Sequence, residues 1–135
     1  MNKPAAVAAL VAALTLAGPA AAEDYNFRTH QGPVTIQVHR SGRVEGYYPW
    51  NNGKMVGRVE RNGDLSGLWL QSKSERTCRE QREGSFYWGR FYITNPNIRP
   101  VRAFYAYCGE RPTLDWGFRN ERDHERDRDR DRGPR

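Results

Sequence analysis

Hydrophobic and polar residues alternate along several short stretches of the chain. From Val34 to His39 every second residue is aliphatic, and Met55–Val59 has the same period of two, which is typical of half-buried β-strands. Ser85–Thr94 is rich in the aromatic and β-branched residues that strands favour. Between such stretches lie Asn51–Gly53 and Arg61–Asp64, whose asparagines and glycines tolerate the left-handed backbone of tight hairpins.

The order of these stretches predicts an all-β domain. Ser74–Arg82 leaves a choice between one helical turn and a strand, and no interval fits an α/β crossover. Consecutive hairpins predict an antiparallel meander of about seven or eight strands, forming a small closed or partly open barrel. Gly57, Gly67 and Gly89 fall inside predicted strands, where glycine marks a bend or a place where a bulky side chain lies across bare backbone.

The first 22 residues have the organisation of a secretory signal peptide. A positive start at Lys3 is followed by the apolar run Ala5–Leu16, and the small residues Ala20–Ala22 precede Glu23. The apolar run is shorter than the roughly 20 residues of a membrane-spanning helix. We therefore expect cleavage after Ala22, no integral membrane span, and export to the periplasm or beyond the cell.

The two cysteines are expected to be oxidised, because an exported protein enters an oxidising compartment. Cys78 and Cys108 are the only cysteines in the chain, and an even pair in an oxidising compartment predicts one disulfide. The three histidines show no ligand spacing, so we expect no metal site and no cofactor.

The rest of the chain divides into a domain and a tail. Residues 23–119 are predicted to form the β-domain. Residues 120–135 alternate acids and arginines and lack apolar residues other than Pro134, so we expect a disordered tail of mixed charge. The net charge of +6 is mild; it permits weak attraction to anionic surfaces, but it does not predict a nucleic-acid partner.

Two resemblances extend this interpretation. The glycine and aromatic spacing of one region resembles MORN-type β-hairpin repeats, on Gly46–Tyr47, Gly53–Gly57 and Gly63–Trp69. A longer string is similar to small exported bacterial proteins of unassigned function, on Leu65–Ser72, Cys78, Arg82–Arg90 and Tyr105–Cys108. The second resemblance implies a single domain with a Cys78–Cys108 bridge, and it implies no activity.

Aromatic and arginine residues mark a candidate binding face. Alternation along Ser85–Thr94 places Phe86, Trp88, Arg90 and Tyr92 on one face, while the opposite face has the composition of a core. With Trp50, these residues would suit stacking on sugar rings or gripping a partner protein, because rings offer contact area and arginine offers directed donors. The alternative is that both faces are covered and Arg90 pairs locally with an acid.

The sequence lacks the common catalytic motifs. There is no nucleophile elbow, phosphate loop or dinucleotide fingerprint. We therefore expect an exported non-enzymatic binding module that acts at the cell envelope on carbohydrate or protein. The alternatives are a β-barrel carrier of a small apolar ligand and a carboxylate-dependent hydrolase. The carboxylates that such a hydrolase might use are Glu45, Glu60, Asp64, Glu80 and Glu83.

Overall fold

The computed structural model describes residues 23–120, which form one nine-stranded antiparallel sheet. The predicted signal peptide, and the predicted tail beyond Asn120, lie outside the described residues. Within residues 23–120 no helix is long and apolar enough to cross a membrane, and the one helical element is a short 3₁₀ turn at Trp50–Asn52. The strands are β1 (Glu23–Thr29), β2 (Gly32–Val38), β3 (Arg43–Tyr48), β4 (Gly53–Val59), β5 (Leu65–Leu70), β6 (Trp88–Ile93), β7 (Ala103–Tyr107), β8 (Leu114–Asp115) and β9 (Arg119–Asn120).

Strands β1 to β8 lie side by side in chain order, and the sheet curls into a half-barrel. This confirms the predicted all-β antiparallel meander. At one edge β8 pairs with β7, bringing Leu114 opposite Tyr105. At the other edge β9 pairs with β1, bringing Arg119 opposite Arg28. The short segment 114–120 therefore bridges both edges of the curled sheet, which protects them from pairing with other chains.

The predicted turns are present in the structure, but the segment between β5 and β6 differs from its prediction. Asn51 and Asn52 adopt left-handed backbone with φ of 49° and 54°, and Gly63 does so with φ of 88°. Ser74–Arg82 is neither a helix nor a strand; it belongs to an irregular loop, and β6 begins only at Trp88. Strand β1 was not expected from the sequence.

Inward-facing side chains fill the half-barrel. The most deeply buried are Val34, Ile36, Val44, Met55, Leu65, Phe91 and Ile93. The burial of Phe91 and Ile93 confirms the predicted core face of β6.

Bare backbone at two facing glycines lets the central strands come unusually close. Gly57 and Gly67 are directly opposite each other in β4 and β5. A Cβ on Gly67 would lie 2.1 Å from the carbonyl oxygen of Val56 and 2.5 Å from Cα of Gly57. Neither position has room for a side chain, so the sheet can bend there.

A third strand glycine accommodates a ring, as the sequence predicted. The indole of Trp69 lies against Gly89 of β6, where an added Cβ would be 2.5 Å from two indole carbons. The two residues are neighbours across β5 and β6. Of the two roles predicted for strand glycines, Gly89 therefore has the second, and the bulky side chain is that of Trp69.

A loop of residues 71–87 folds over the outer face of the sheet. Cys78, within it, is bonded to Cys108, which directly follows β7; the two are 30 residues apart, and this confirms the predicted disulfide. Together with Leu70 and Trp88, Cys78 forms a second buried cluster, separate from the interior core. Because Trp69 and Gly89 face inward, their neighbours Leu70 and Trp88 face outward, and the loop covers them.

Gly67→Ala should destabilise the fold severely. The new methyl group meets backbone atoms that cannot rotate away, so we expect the free energy of unfolding to fall by about 3 kcal/mol or more. Denaturant unfolding measures the change. Gly109→Ala is the matched control, because a Cβ there has no neighbour within 4 Å, and its stability should change by less than about 0.5 kcal/mol. Equal stabilities for the two variants would contradict the close approach of β4 and β5.

Replacing both cysteines with serine should lower the free energy of unfolding by about 2–5 kcal/mol, because the bridge no longer restricts the unfolded chain. Unfolding of the variant and of the parent protein, each with and without reductant, measures this. The reductant should reproduce the loss in the parent and leave the variant unchanged. An unchanged parent after complete reduction would show that the bridge does not stabilise the domain.

Candidate functional site

An aromatic cleft opens at one end of the half-barrel and has a volume of about 300 Å³. That size is at the lower limit of the range of about 300–1,000 Å³ for small-molecule sites. The ends of β3, β5 and β7 converge there with the turns next to them, because alternate strands of an antiparallel meander run in the same direction and end at the same side of the sheet. The lining residues come from all of these elements: Gln31, Tyr48, Trp50, Asn51, Trp69, Gln71, Lys73, Ser74, Glu75, Tyr105, Tyr107 and Trp116.

Five rings of the cleft form a continuous chain of edge-to-face and tilted contacts. Tyr48 meets Trp116 edge to face, with ring centroids 5.5 Å apart. Trp116 contacts Tyr105 at 5.9 Å, and Tyr105 contacts Tyr107 at 5.8 Å. Tyr107 meets Trp69 edge to face at 5.8 Å. Such pairs hold each other's orientation, so the cleft has a preformed wall.

The buried tryptophans of the wall use their polar atoms within the protein. Trp69 donates from Nε1 to the carbonyl oxygen of Ala106 at 3.0 Å. Trp116 donates from Nε1 to Oε1 of Gln31 at 3.2 Å. Since an indole nitrogen only donates, this bond fixes the orientation of the Gln31 amide, whose NH₂ group donates to no acceptor among residues 23–120. Trp50 differs from both, because it stands on the rim with 52% of its surface exposed.

A second set of polar atoms lies beside the rings. Gln71 donates from Nε2 to the hydroxyl oxygen of Tyr48 at 2.8 Å, which leaves the hydroxyl proton of Tyr48 and Oε1 of Gln71 available to a ligand. Burial raises the pKa of Tyr48 far above its usual value, although the bond from Gln71 acts in the opposite direction. The phenol is therefore neutral at physiological pH and retains its proton.

The charged groups of the cleft are confined to the loop side. Lys73 and Glu75 have opposite charges, and the hydroxyl of Tyr107 donates to Glu75 at 3.5 Å. Burial, Tyr105 and Glu75 raise the pKa of Tyr107, so this phenol also remains neutral. The guanidinium of Arg76 lies 4.9 Å from the Tyr107 ring centroid and pairs with Glu110 at 3.6 Å. The cleft therefore carries no net charge from its lining.

The rim of the cleft is held in place by the two segments that form it. The backbone N–H of Ser72 donates to the carbonyl oxygen of Asn51 at 2.8 Å. The Asn52 amide also donates to the Ser72 hydroxyl at 3.3 Å. At the base of the loop the backbone N–H of Gln71 donates to the carbonyl oxygen of Tyr87 at 2.9 Å. The 3₁₀ turn and the loop that carries the disulfide are thus joined at the cleft.

The structure places one of the sequence-predicted binding residues in the cleft, namely Trp50. Phe86 is 45% exposed on the covering loop, and Arg90 is exposed on the outer face of β6. Tyr92 is half-buried on that face, where its hydroxyl donates to Asp64. None of these three lines the cleft. A binding role for them stays a prediction.

Trp88 requires a correction, because the expected exposed face does not include it. Its side chain is 5% exposed. Its Nε1 donates to the carbonyl oxygen of Glu80 at 2.7 Å, and the guanidinium of Arg82 lies 5.2 Å from its ring centroid. Alternation gave the correct face of β6, but the loop covers this position. Trp88 anchors the loop.

Sequence reasoning missed every lining residue of the cleft except Trp50, and Gln31, Tyr48 and Trp116 show why. The alternation that begins at Val44 points Tyr48 inward, so the signal for that residue was present. Trp116 reaches the cleft only because β8 pairs with β7, and Gln31 only because the β1–β2 turn lies at the same end. No local pattern marks these two positions.

Within residues 23–120 no three histidine, cysteine, aspartate or glutamate side chains come together as possible metal ligands. Glu75 is the one carboxylate among the lining residues of the cleft. The arrangement is therefore suited to binding by rings and neutral polar groups.

Comparison with known proteins identifies no relative: no family model, no curated protein and no solved structure matches the chain. The resemblances to MORN-type repeats and to small exported bacterial proteins consequently stay predictions.

Proposed function

We propose that the domain is an exported, non-enzymatic binding module whose cleft takes a sugar residue of envelope carbohydrate. The observation that carries this proposal is the preformed aromatic wall at the mouth of the half-barrel, with the exposed ring of Trp50 on its rim. The apolar C–H face of a sugar ring packs on aromatic rings, and its hydroxyl groups need directed polar partners at the edges.

Neutral hydrogen-bonding groups support a polar, uncharged ligand. The Gln31 amide and the Tyr48 hydroxyl offer donors, and Oε1 of Gln71 offers an acceptor. Hydroxyl or acetamido groups of a sugar satisfy both kinds. A purely apolar ligand would cover these atoms without bonding them, and such unpaired groups cost about 1–3 kcal/mol each.

The packing of the interior weighs against a carrier that encloses an apolar ligand. Ile36, Met55 and Phe91 are among the side chains that fill the centre of the half-barrel. The open volume lies at the mouth instead. A hydrolase of the two-carboxylate type needs a pair of carboxylates in its cleft. Glu75 is the one carboxylate residue among the lining residues of this cleft. Both alternatives therefore have less support than binding at the mouth.

Export is part of the proposal. The predicted signal peptide directs the chain out of the cytoplasm, and a disulfide between Cys78 and Cys108 is typical of proteins in oxidising compartments. Cell-envelope polysaccharide would be the carbohydrate that such a protein meets at high concentration.

Trp50→Ala should weaken retention on polysaccharide by at least about 10-fold while sparing the fold, because an exposed aromatic anchor contributes to binding and little to the core. Co-sedimentation of the mature protein with insoluble peptidoglycan, chitin and cellulose measures binding, and the melting temperature reports on the fold. At least one of the three polysaccharides should retain the parent protein.

Phe86→Ala is the matched control for the same experiment. Phe86 is similarly exposed but lies outside the cleft, so this variant should be retained like the parent protein. Retention lost in Phe86→Ala and kept in Trp50→Ala would move the site to the outer face. A parent protein that none of the three polysaccharides retains would overturn the proposal.

A further inference from the structure

A second depression lies next to the cleft, on the other side of the 3₁₀ turn. It has a volume of about 440 Å³ and is more open than the cleft. Tyr48 lines both depressions. The remaining lining residues are uncharged and come from β2, β3, the turn with the proline before it, and the start of β4: Pro33, Thr35, Tyr47, Pro49, Asn52 and Gly53. We call this depression the turn groove.

Two exposed rings stand on opposite sides of the turn. Tyr47 lines the turn groove and Trp50 lines the cleft, and each is 52% exposed. Consecutive strand residues point to opposite faces, so Tyr48 turns inward to the core while Tyr47 turns outward. Neither exposed ring is needed to fill the interior of the half-barrel.

The turn between the two rings is fixed by hydrogen bonds. The N–H of Asn52 donates to the carbonyl oxygen of Pro49 at 3.3 Å, and the carbonyl oxygen of Asn51 accepts from Ser72. The side-chain amide of Asn52 donates from Nδ2 to the Ser72 hydroxyl at 3.3 Å, and its Oδ1 accepts no hydrogen bond from residues 23–120. The rings of Tyr47 and Trp50 are therefore presented by an ordered element.

We propose that the turn groove is a second subsite for the same ligand, so that a chain of sugar residues crosses the turn from Trp50 to Tyr47. This inference rests on the proposed function of the cleft. The two depressions adjoin at Tyr48, which lines both of them, and both combine aromatic or proline surfaces with uncharged polar groups. A ligand that repeats along its length, such as a polysaccharide, meets the same chemistry in both places.

Dependence of binding on chain length tests the second subsite. Calorimetric titration of the mature protein uses β-1,4-linked oligomers of N-acetylglucosamine and of glucose, from one to six residues long. In the series that binds, affinity should rise by about 10-fold or more between the shortest oligomer that fills the cleft and the hexamer. Tyr47→Ala should remove this gain and leave the affinity for the short oligomer unchanged.

Tyr47→Phe is the matched control, because it keeps the ring and should keep the gain. If Trp50→Ala weakens binding but affinity is the same for short and long oligomers, the subsite is wrong and the proposed function stands. The same conclusion follows if Tyr47→Ala binds the hexamer like the parent protein. If neither series binds and polysaccharide retention also fails, both proposals are overturned.

Discussion

The close approach of β4 and β5 at Gly57 and Gly67 is the constraint on which the rest of the domain depends. Antiparallel strands with side chains at these positions cannot bring their backbones so near, because each Cβ would fall about 2 Å from a carbonyl oxygen of the other strand. The bend lets a single sheet curl far enough for one short segment, 114–120, to pair with both of its edges. Without the curl, β8 and β9 could not contact both β7 and β1.

The cleft follows from the same curl. Rings contributed by β3, β5 and β7 face a common interior, and Trp116 joins them from the segment that bridges the edges. The bare backbone of Gly89 allows the indole of Trp69 to lie flat enough to take part in this array. The loop that carries Cys78 supplies the polar side of the rim, so the disulfide holds an element of the site as well as covering the outer face.

Local patterns allowed much of the sheet to be predicted from the sequence. Alternation identified β2 and β4, aromatic and β-branched residues identified β6, and the expected oxidising compartment identified the disulfide. Strand β1 was missed because its outward residues are charged or polar and Phe27 is its one fully buried side chain. The position of Trp88 shows a different limit: alternation assigns a face to a residue, but only long-range folding decides whether a loop covers that face.

The candidate site was predicted in part. The abundance of tryptophan and tyrosine indicated an aromatic site, and Trp50 was named among its residues. The convergence of Tyr48, Trp69 and Trp116 could not be predicted, since it requires the order and curvature of the whole sheet. A hydrogen bond between the Trp116 indole and Gln31, 85 residues apart, illustrates how distant the partners are in the chain.

The four tryptophans allow ligand binding in the cleft to be observed directly. Trp50, Trp69 and Trp116 line it, whereas Trp88 is buried beneath the loop on the outer face. Their indole N–H signals can be followed in proton–nitrogen correlation spectra while a binding oligosaccharide is added. If the ligand binds in the cleft, the three cleft signals should shift together and the Trp88 signal should stay in place. A shift of Trp88 with the other three unchanged would contradict binding in the cleft.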